Sequence, residues 1–165
     1  MADLQRQRAA DVLHEPVLLS VMTNGGLRAG LPAGPITLGN VFELMPFENE
    51  LVVLDAPGPV VQQLFDYAAR TKMAVSGATY SVTFDGLPKD IRIAGQPFDV
   101  NQERLWSIAT SDYLATGGDN MGFFKPLVGR RTNILLRTAI ADRIRALTKA
   151  GKPVTGRVDG RVKEN

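Results

Sequence analysis

The chain has 165 residues, 44% of them hydrophobic, which fits one compact domain with its own core. Its 19 basic and 17 acidic residues leave a formal net charge of +2. The sequence contains no cysteine, which excludes disulfide bonds and thiolate chemistry and leaves the redox compartment open.

The scarcity of histidine restricts the metal chemistry that this sequence can support. His14 is the only histidine, whereas hydrolytic two-metal centres built on His and Asp need several imidazoles. His14 lies near the end of a predicted helix, where a capping or surface role is the expectation. We therefore expect neither a catalytic residue nor a metal site nor a cofactor in this sequence.

The sequence as given carries no sign of membrane insertion or export. No apolar run approaches the ~20 residues that a membrane-spanning helix needs. The first eight residues run into polar, basic sequence without the apolar centre of a signal peptide. This leaves open whether a leader is removed before the present numbering begins. We expect no membrane span.

The first half of the chain predicts helices and strands separated by glycine- and proline-rich loops. A nearly continuous apolar run at 17–22 is typical of a strand buried on both faces. Pro46 cannot continue a helix, so the helix that Thr37 caps ends before it. In chain order the predicted elements are a helix over 2–14, a strand over 17–22, a helix over 38–45, a strand over 51–55, and a helix that begins at Gly58 and Pro59 and buries Val60, Leu64, Phe65 and Ala68.

The second half predicts a hairpin, a central strand and a closing helix. The stretch 138–150 has amphipathic spacing with Ile140, Ile144 and Leu147 directed inward. Basic residues there are interspersed with apolar ones, as on the solvated face of a helix, so we expect no nucleic-acid partner. In chain order the predicted elements are a strand over 79–84, a turn at 85–86, a strand over 91–93, a turn at 95–97, strands over 105–109 and 132–135, the helix, and a terminal strand or arm over 158–162.

These elements predict an α+β fold, with mixed β-strands and packing helices. Strands and helices do not alternate regularly, and no internal repeat or interdomain linker interrupts the sequence. We expect a single domain over 1–165.

The central strand leads directly into a glycine-rich loop at 110–119. Gly117 and Gly118 permit a positive φ or a close approach of the backbone to a ligand. Tyr113 and Asp119 lie at the two ends of the bend, which suits a pocket where a flat ring stacks and hydroxyl groups are hydrogen-bonded. A plain Gly-Gly-Asp turn between two elements is the alternative.

Two further loops carry matching chemistry. Arg28 lies shortly after two glycines, and its guanidinium can donate two parallel hydrogen bonds to a phosphate. The glycines have no side chains, so the phosphate can approach the backbone closely. Phe47 can stack on a nucleobase for about 1–3 kcal/mol, and the amide of Asn49 can read a base edge. The carboxylate of Asp119 can accept hydrogen bonds from ribose hydroxyls.

Each of these residues has a simpler interpretation when it is taken alone. Phe47 fits a core position, Arg28 an ordinary surface position, and Asn49 the closure of the turn after Pro46. The joint occurrence of the three loops in this order nevertheless predicts a nucleotide site.

In this order, the Gly-Gly-Leu-Arg, Pro-Phe and Thr-Gly-Gly-Asp elements resemble the C-terminal domain of the 5'-nucleotidase family, which includes periplasmic UDP-sugar hydrolases and ecto-nucleotidases. The resemblance covers nearly the whole chain, from the first helix to the closing Asp159-Gly160-Arg161. In such proteins a two-metal phosphoesterase domain comes first and performs the hydrolysis. The C-terminal domain binds the nucleoside and moves it to the metal site.

The resemblance implies a role for each candidate residue. Phe47 and Tyr113 match the two aromatics that sandwich the base, and Asn49 matches a polar contact to the base in some members. Asp119 matches the carboxylate that binds ribose, and Arg28 matches an arginine that contacts the phosphate end or the sugar. The expected substrate-binding set is Arg28, Phe47, Asn49, Tyr113, Gly117, Gly118 and Asp119.

The sequence departs from the family pattern at several points. Tyr113 stands where the family commonly has Phe, which keeps the stacking ring and adds a hydroxyl. Where many members have an asparagine ahead of the glycines, the register here gives Thr23 or Asn24, so that contact is unassigned. Further arginines lie upstream of the first helix in the family, before this sequence begins.

The resemblance implies the substrate-binding half of a 5'-nucleotidase whose metallophosphoesterase domain lies in a partner or in a part absent from this sequence. Divalent metals are expected in that domain. A free-standing nucleoside or nucleotide binder without hydrolytic activity is the competing hypothesis, and a scaffold that has lost ligand binding is a third. By resemblance the location is periplasmic or otherwise extracytoplasmic.

Overall fold

The computed structural model describes residues 1–156 and 158–164. The predicted domain spans 1–165, of which 157 and 165 lie outside the described residues. The helices are α1 (Ala2–Leu13), α2 (Leu38–Leu44), α3 (Gly58–Thr71), α4 (Asp112–Ala115) and α5 (Leu136–Lys149). The strands are β1 (Leu19–Met22), β2 (Glu50–Pro57), β3 (Ala74–Ser76), β4 (Ala78–Val82), β5 (Pro88–Ile93), β6 (Gln96–Pro97), β7 (Leu105–Ser111), β8 (Gly129–Leu135) and β9 (Val162–Glu164). The α+β prediction is confirmed.

The larger sheet has the strand order β3-β1-β7-β2-β8. β1 and β7 are parallel, with Leu19 opposite Ile108, while the other neighbours are antiparallel. Because β1 and β7 run the same way, their carboxyl ends reach the same edge of the sheet. β2 is antiparallel to β7, so its first residue, Glu50, lies at that edge too.

Both faces of this sheet are covered, which explains the near-continuous apolar character of its central strands. Neighbouring residues of β2 point to opposite faces: Val53 packs with the helices α1, α2 and α5, and Leu54 packs with α3 and the smaller sheet. Every residue of β1 is buried, as predicted for a strand covered on both sides.

The smaller sheet has the order β6-β5-β4-β9. The predicted hairpin is present as β4 and β5. The terminal strand β9 lies later than the predicted 158–162 and pairs in parallel with β4. Arg161, just before β9, donates to both carboxylate oxygens of Asp3 in α1, at 2.8 and 3.0 Å, and also binds Asp159. The two ends of the described chain are thereby joined.

Several predicted boundaries differ from the structure. Phe84 lies beyond the end of β4 and is fully exposed, because the chain turns away after Val82. In α3 it is Val61 that is fully buried, while Val60 is only partly covered. Gln96 and Pro97, predicted as a turn, form the two-residue strand β6.

Other details follow the sequence. His14 caps the end of α1 in the left-handed conformation with φ of 54°. Thr37 and Asn40 form a reciprocal capping box at the start of α2. Pro59 lies in the first turn of α3, as expected for a residue whose missing N–H is not needed there.

Candidate functional site

A cavity of about 330 Å³ lies at the sheet edge where β1 and β7 end and β2 begins. Three loops meet there: the loop after β1, the loop before β2 and the loop after β7. Of the predicted set, Arg28, Phe47, Asn49, Tyr113 and Asp119 all line this cavity. The remaining lining residues are Gln5, Val21, Met22, Thr23, Gly25, Gly26, Met45, Ser111, Leu114 and Leu136.

The loop after β1 carries the arginine. It begins with a single 3₁₀ turn over Asn24–Gly26 and then runs extended. The backbone N–H of Arg28 donates to the carbonyl of Leu44 at the end of α2, at 2.9 Å. The side chain of Arg28 is exposed, and its guanidinium carbon lies 5.2 Å from the centroid of the Phe47 ring. This cation therefore lies on the solvent side of the cavity, against the Phe47 ring.

The loop before β2 presents Phe47 and Asn49, both half-buried. The carbonyl of Asn49 accepts from the backbone N–H of Leu136 at 2.9 Å. Arg137 fixes the same loop from outside, because its guanidinium donates to the carbonyl of Pro46 at 3.3 Å and lies 3.7 Å from a carboxylate oxygen of Glu48. The loop is thus anchored to the start of α5 by backbone and side chain.

The loop after β7 is more ordered than the sequence predicts. Instead of an open bend, the hydroxyl of Ser111 accepts from the N–H of Leu114 at 3.2 Å and starts the short helix α4, on which Tyr113 lies. Tyr113 is 49% exposed. Tyr113 and Phe47 line the same cavity.

Gly117 and Gly118 do not line the cavity but shape the loop around it. Gly117 has φ of +94°, in the left-handed region that favours glycine. A Cβ atom on Gly118 would lie 2.5 Å from two ring carbons of Tyr113. The absent side chain of Gly118 therefore lets the aromatic ring lie directly against the backbone.

Asp119 is held by two phenol groups. The hydroxyl of Tyr113 donates to Oδ1 of Asp119 at 3.0 Å and accepts from its backbone N–H at 3.3 Å. The hydroxyl of Tyr67 donates to the carbonyl of Asp119 at 2.7 Å. Burial raises the pKa of the Tyr67 phenol, and the charges of Asp119 and Tyr113 raise it further. Tyr67 therefore remains a protonated donor at neutral pH.

Two residues that were not predicted from the sequence support the site: Gln5 lines the cavity, and Tyr67 binds the backbone of Asp119. Gln5 is buried in the cavity floor, where its amide nitrogen donates to the hydroxyl of Ser20 at 3.2 Å and the carbonyl of Val21 at 3.1 Å. The spacing of Ala2, Gln5 and Ala9 on the buried face of α1 could have indicated Gln5. Tyr67 had no comparable signal.

The described residues also bear on metal binding and membrane insertion. Within residues 1–156 and 158–164, no group of three or more His, Cys, Asp or Glu side chains is arranged to hold a metal ion. None of the helices described there is both long and apolar enough to cross a bilayer.

Comparison with known proteins relates this chain to a family and a fold. The family described as 5'-nucleotidase, C-terminal domain, matches residues 1–126. Trifunctional nucleotide phosphoesterase protein YfkN of Bacillus subtilis (strain 168) is 26% identical over 161 residues, covering 88% of this chain and 11% of YfkN. Protein UshA of Escherichia coli (strain K12) is 34% identical over 108 residues, covering 61% of this chain and 19% of UshA.

Among solved structures, the 5'-nucleotidase precursor from Thermus thermophilus has a TM-score of 0.82 at 23% identity, covering 99% of this chain and 34% of that one. At this level of identity the likeness shows the fold alone. The chain spans between 11% and 34% of the length of these three proteins. Because the family match extends over residues 1–126, which include every predicted site residue, the chain belongs to the 5'-nucleotidase C-terminal domain family.

Proposed function

We propose that this domain binds the nucleoside part of a nucleotide substrate in the cavity between its three loops. The observation that carries the proposal is that two aromatic side chains, an amide, a carboxylate and an arginine from separate parts of the chain line one cavity. Its volume of about 330 Å³ is at the lower end of the range for small-molecule sites.

Each side chain has one part of the ligand to bind. The rings of Phe47 and Tyr113 stack on the base, and the Asn49 amide reads the edge of the base. Asp119 accepts from the sugar hydroxyls. Arg28, exposed at the mouth, reaches the phosphate. Met22, Met45 and Leu136 supply apolar lining against which the base can pack.

Hydrolysis of the phosphate ester belongs to a metallophosphoesterase domain or subunit with which this domain works. Phosphate ester hydrolysis at neutral pH needs a metal ion to generate hydroxide and to neutralise charge. We expect the purified chain with Mn²⁺, Zn²⁺ or Co²⁺ not to hydrolyse AMP above background. Turnover that co-purifies with the chain and depends on added metal would refute this division of labour.

The working compartment that we propose is periplasmic or otherwise extracytoplasmic, by resemblance to the family. Fractionation of the producing cells, with the chain detected by antibody, tests this location. Recovery in the cytoplasmic fraction alone would overturn it.

The binding proposal is tested by calorimetric titration of the full chain with adenosine, AMP and UDP-glucose at fixed salt. Adenosine and AMP are expected to bind weakly, with Kd on the order of 0.1–1 mM, because stacking and a few hydrogen bonds supply most of the affinity. Tyr113→Ala should weaken adenosine binding by about 1–3 kcal/mol. Tyr113→Phe keeps the ring and should change the free energy of adenosine binding little. If Tyr113→Ala binds adenosine as well as the unaltered chain, the aromatic sandwich is wrong.

A free-standing binder without hydrolytic function is the second candidate. The two candidate functions are distinguished by adding a purified metallophosphoesterase domain that is encoded beside or before this sequence. Stimulated AMP hydrolysis supports the first, and binding that never affects hydrolysis supports the second.

A further inference from the structure

We propose that the side-chain oxygen of Gln5 makes the cavity select bases that carry an amino group. This inference rests on the proposed function and names a residue that determines base specificity in the same site. Gln5 lies in α1, outside the three loops, and yet it lines the cavity. Its side chain is only 1% exposed, so whatever it contacts in the cavity is deep inside the protein.

The orientation of the Gln5 amide is set by its two partners. Its nitrogen donates to the carbonyl of Val21 at 3.1 Å and to the hydroxyl of Ser20 at 3.2 Å. A carbonyl can only accept a hydrogen bond, so the atom of Gln5 that faces Val21 has to be the nitrogen. Both amide hydrogens are thereby used within the protein, which leaves the oxygen Oε1 as the polar atom that a ligand can bind.

Oε1 of Gln5 is open to the cavity. It accepts no hydrogen bond within the part of the chain that the structure describes. In that part, the side-chain atoms that are both sealed from solvent and unpaired belong to Arg8, Trp106 and Arg130, and Oε1 is not one of them. The small exposed fraction of Gln5 therefore includes this oxygen. A ligand that covers it has to supply a donor, because a buried acceptor without a partner costs free energy.

The base is the part of a nucleotide that reaches this depth. Met45 and Leu136 also line the cavity and are buried, and such apolar side chains accept a flat ring but not a phosphate or a sugar. The phosphate binds Arg28, which is exposed, and the sugar hydroxyls bind Asp119, which is half-buried. The edge of the base is what remains to meet Gln5.

An acceptor at the edge of a base distinguishes bases by their exocyclic groups. The amino group of adenine or cytosine can donate to Oε1, whereas a carbonyl at the same ring position would set two acceptors against each other. A purine with no group at that position would cover Oε1 and leave it unpaired. The substrate class that follows is the nucleotides of adenine and cytosine.

The test compares three ligands and three chains by chemical-shift titration at fixed pH and salt, which measures dissociation constants in the millimolar range. The ligands are adenosine, purine riboside, which lacks the amino group, and 2',3'-dideoxyadenosine, which lacks the sugar hydroxyls. The chains are the unaltered full chain, Gln5→Met and Ser20→Ala. Gln5→Met keeps the length of the side chain without the acceptor. Ser20→Ala is the matched control, because it removes one partner of the Gln5 nitrogen and keeps Oε1.

The expected result is a change in ratio and not only in affinity. In the unaltered chain and in Ser20→Ala, purine riboside should bind at least about fivefold more weakly than adenosine, since a buried acceptor loses its partner. In Gln5→Met this difference should shrink to within about twofold. The ratio of adenosine to dideoxyadenosine should be the same in all three chains, because the sugar hydroxyls bind elsewhere. Loosening of the fold would change all ligands alike and leave the ratios intact.

Three results would overturn the inference while leaving nucleoside binding intact. The first is an unaltered chain that binds purine riboside within about twofold of adenosine. The second is a Gln5→Met chain that discriminates between these two ligands as strongly as the unaltered chain. The third is a Gln5→Met chain in which the ratio of adenosine to dideoxyadenosine shrinks instead, which would mean that Oε1 binds a sugar hydroxyl.

A second measurement decides the matter if thermal unfolding shows that Gln5→Met is not folded. The side-chain amide resonances of Gln5 in the unaltered chain should move when adenosine binds and move clearly less when purine riboside is bound to the same saturation. Equal movement with both ligands would overturn the inference. Absence of binding by all three ligands would refute the proposed function itself and this inference with it.

Discussion

The guanidinium of Arg28 lies 5.2 Å from the centroid of the Phe47 ring, so the single arginine of the cavity lining rests on its aromatic wall. An exposed cation–π contact of this kind is worth about 0.5–1 kcal/mol. A hydrogen bond from a guanidinium to a phosphate oxygen is worth about 1.5–3 kcal/mol. The phosphate therefore outcompetes the ring, and Arg28 should leave Phe47 when a nucleotide binds.

This relationship predicts a selective effect of Arg28→Ala. The affinity for AMP should fall about three- to tenfold, while that for adenosine should stay within about twofold, because adenosine offers no phosphate. Calorimetric titration of both ligands measures the difference. Arg70→Ala removes the same charge from the exposed side of α3 and controls for net charge. Equal losses of affinity for AMP and adenosine would instead indicate that Arg28 supports the Phe47 ring on which the base stacks.

A second prediction concerns the close contact between Gly118 and the Tyr113 ring. A methyl group at Gly118 would lie 2.5 Å from the ring, so Gly118→Ala should push the half-exposed ring out toward solvent. The fold should persist, because φ at this glycine is not in the left-handed region. Adenosine binding should fall by about 1–3 kcal/mol, as for loss of the stacking ring.

Gly122→Ala is the matched control for this change. A Cβ atom there has no heavy atom within 4 Å, and Gly122 also avoids positive φ. The Gly122→Ala chain should bind adenosine with the affinity of the unaltered chain. If Gly118→Ala also binds normally while its unfolding temperature is unchanged, the ring position is not needed for binding.

The sequence predicted most of the strands of the larger sheet and the three loops because their signals are local. An apolar run marks β1, proline ends α2, and paired glycines follow α4, each within a few residues. The order of the loops along the chain, combined with the parallel pairing of β1 and β7, brings them to one edge. Arg28 and Asp119 thus meet across a cavity although 91 positions separate them in the sequence.

Contacts that span the chain had no such signal. Tyr67 reaches Asp119 over 52 positions, and its helical position is equally compatible with a surface or a core side chain. The four-residue helix α4 is too short for hydrophobic periodicity, so Tyr113 was placed on an open bend. The strand β3, with three residues, is also too short to show a periodicity. Its pairing partner β1 lies more than 50 residues earlier, so no local pattern predicted it.

A third prediction follows from the contact between Asp3 and Arg161. Hydrogen bonds from Arg161, and less strongly one from Ser76, lower the pKa of Asp3 from 3.8 to about 2. A carboxyl group whose pKa is lowered by folding stabilises the native state fully above its ordinary pKa, and this contribution is lost as the pH falls toward 2. Since the side chain of Asp3 is 61% exposed, the contribution at neutral pH should be below about 1 kcal/mol.

Asp3→Asn should therefore lower the unfolding temperature slightly at pH 7 and reduce its dependence on pH between about 4 and 2. Thermal unfolding followed by circular dichroism across this range measures both effects. Asp85→Asn, in the exposed hairpin turn and without an ion pair in the described part of the chain, is the control. An Asp3→Asn profile parallel to that of the unaltered chain down to about pH 2 would show that this contact contributes nothing.

The last prediction concerns the base. Within the described residues the side-chain amide of Asn49 makes no hydrogen bond, while its backbone carbonyl is held by Leu136 at 2.9 Å. Asn49→Ala should therefore keep the loop and lose only the amide. If the amide reads a base edge, adenosine and uridine affinities should change unequally, by at most about tenfold, since one neutral contact is worth about 0.5–1.5 kcal/mol net. Calorimetry with both nucleosides tests this, with Asn101→Ala as the control because Asn101 is exposed and lies outside the cavity lining. Equal losses for the two nucleosides would mean that Asn49 shapes the turn after Phe47 and does not select the base.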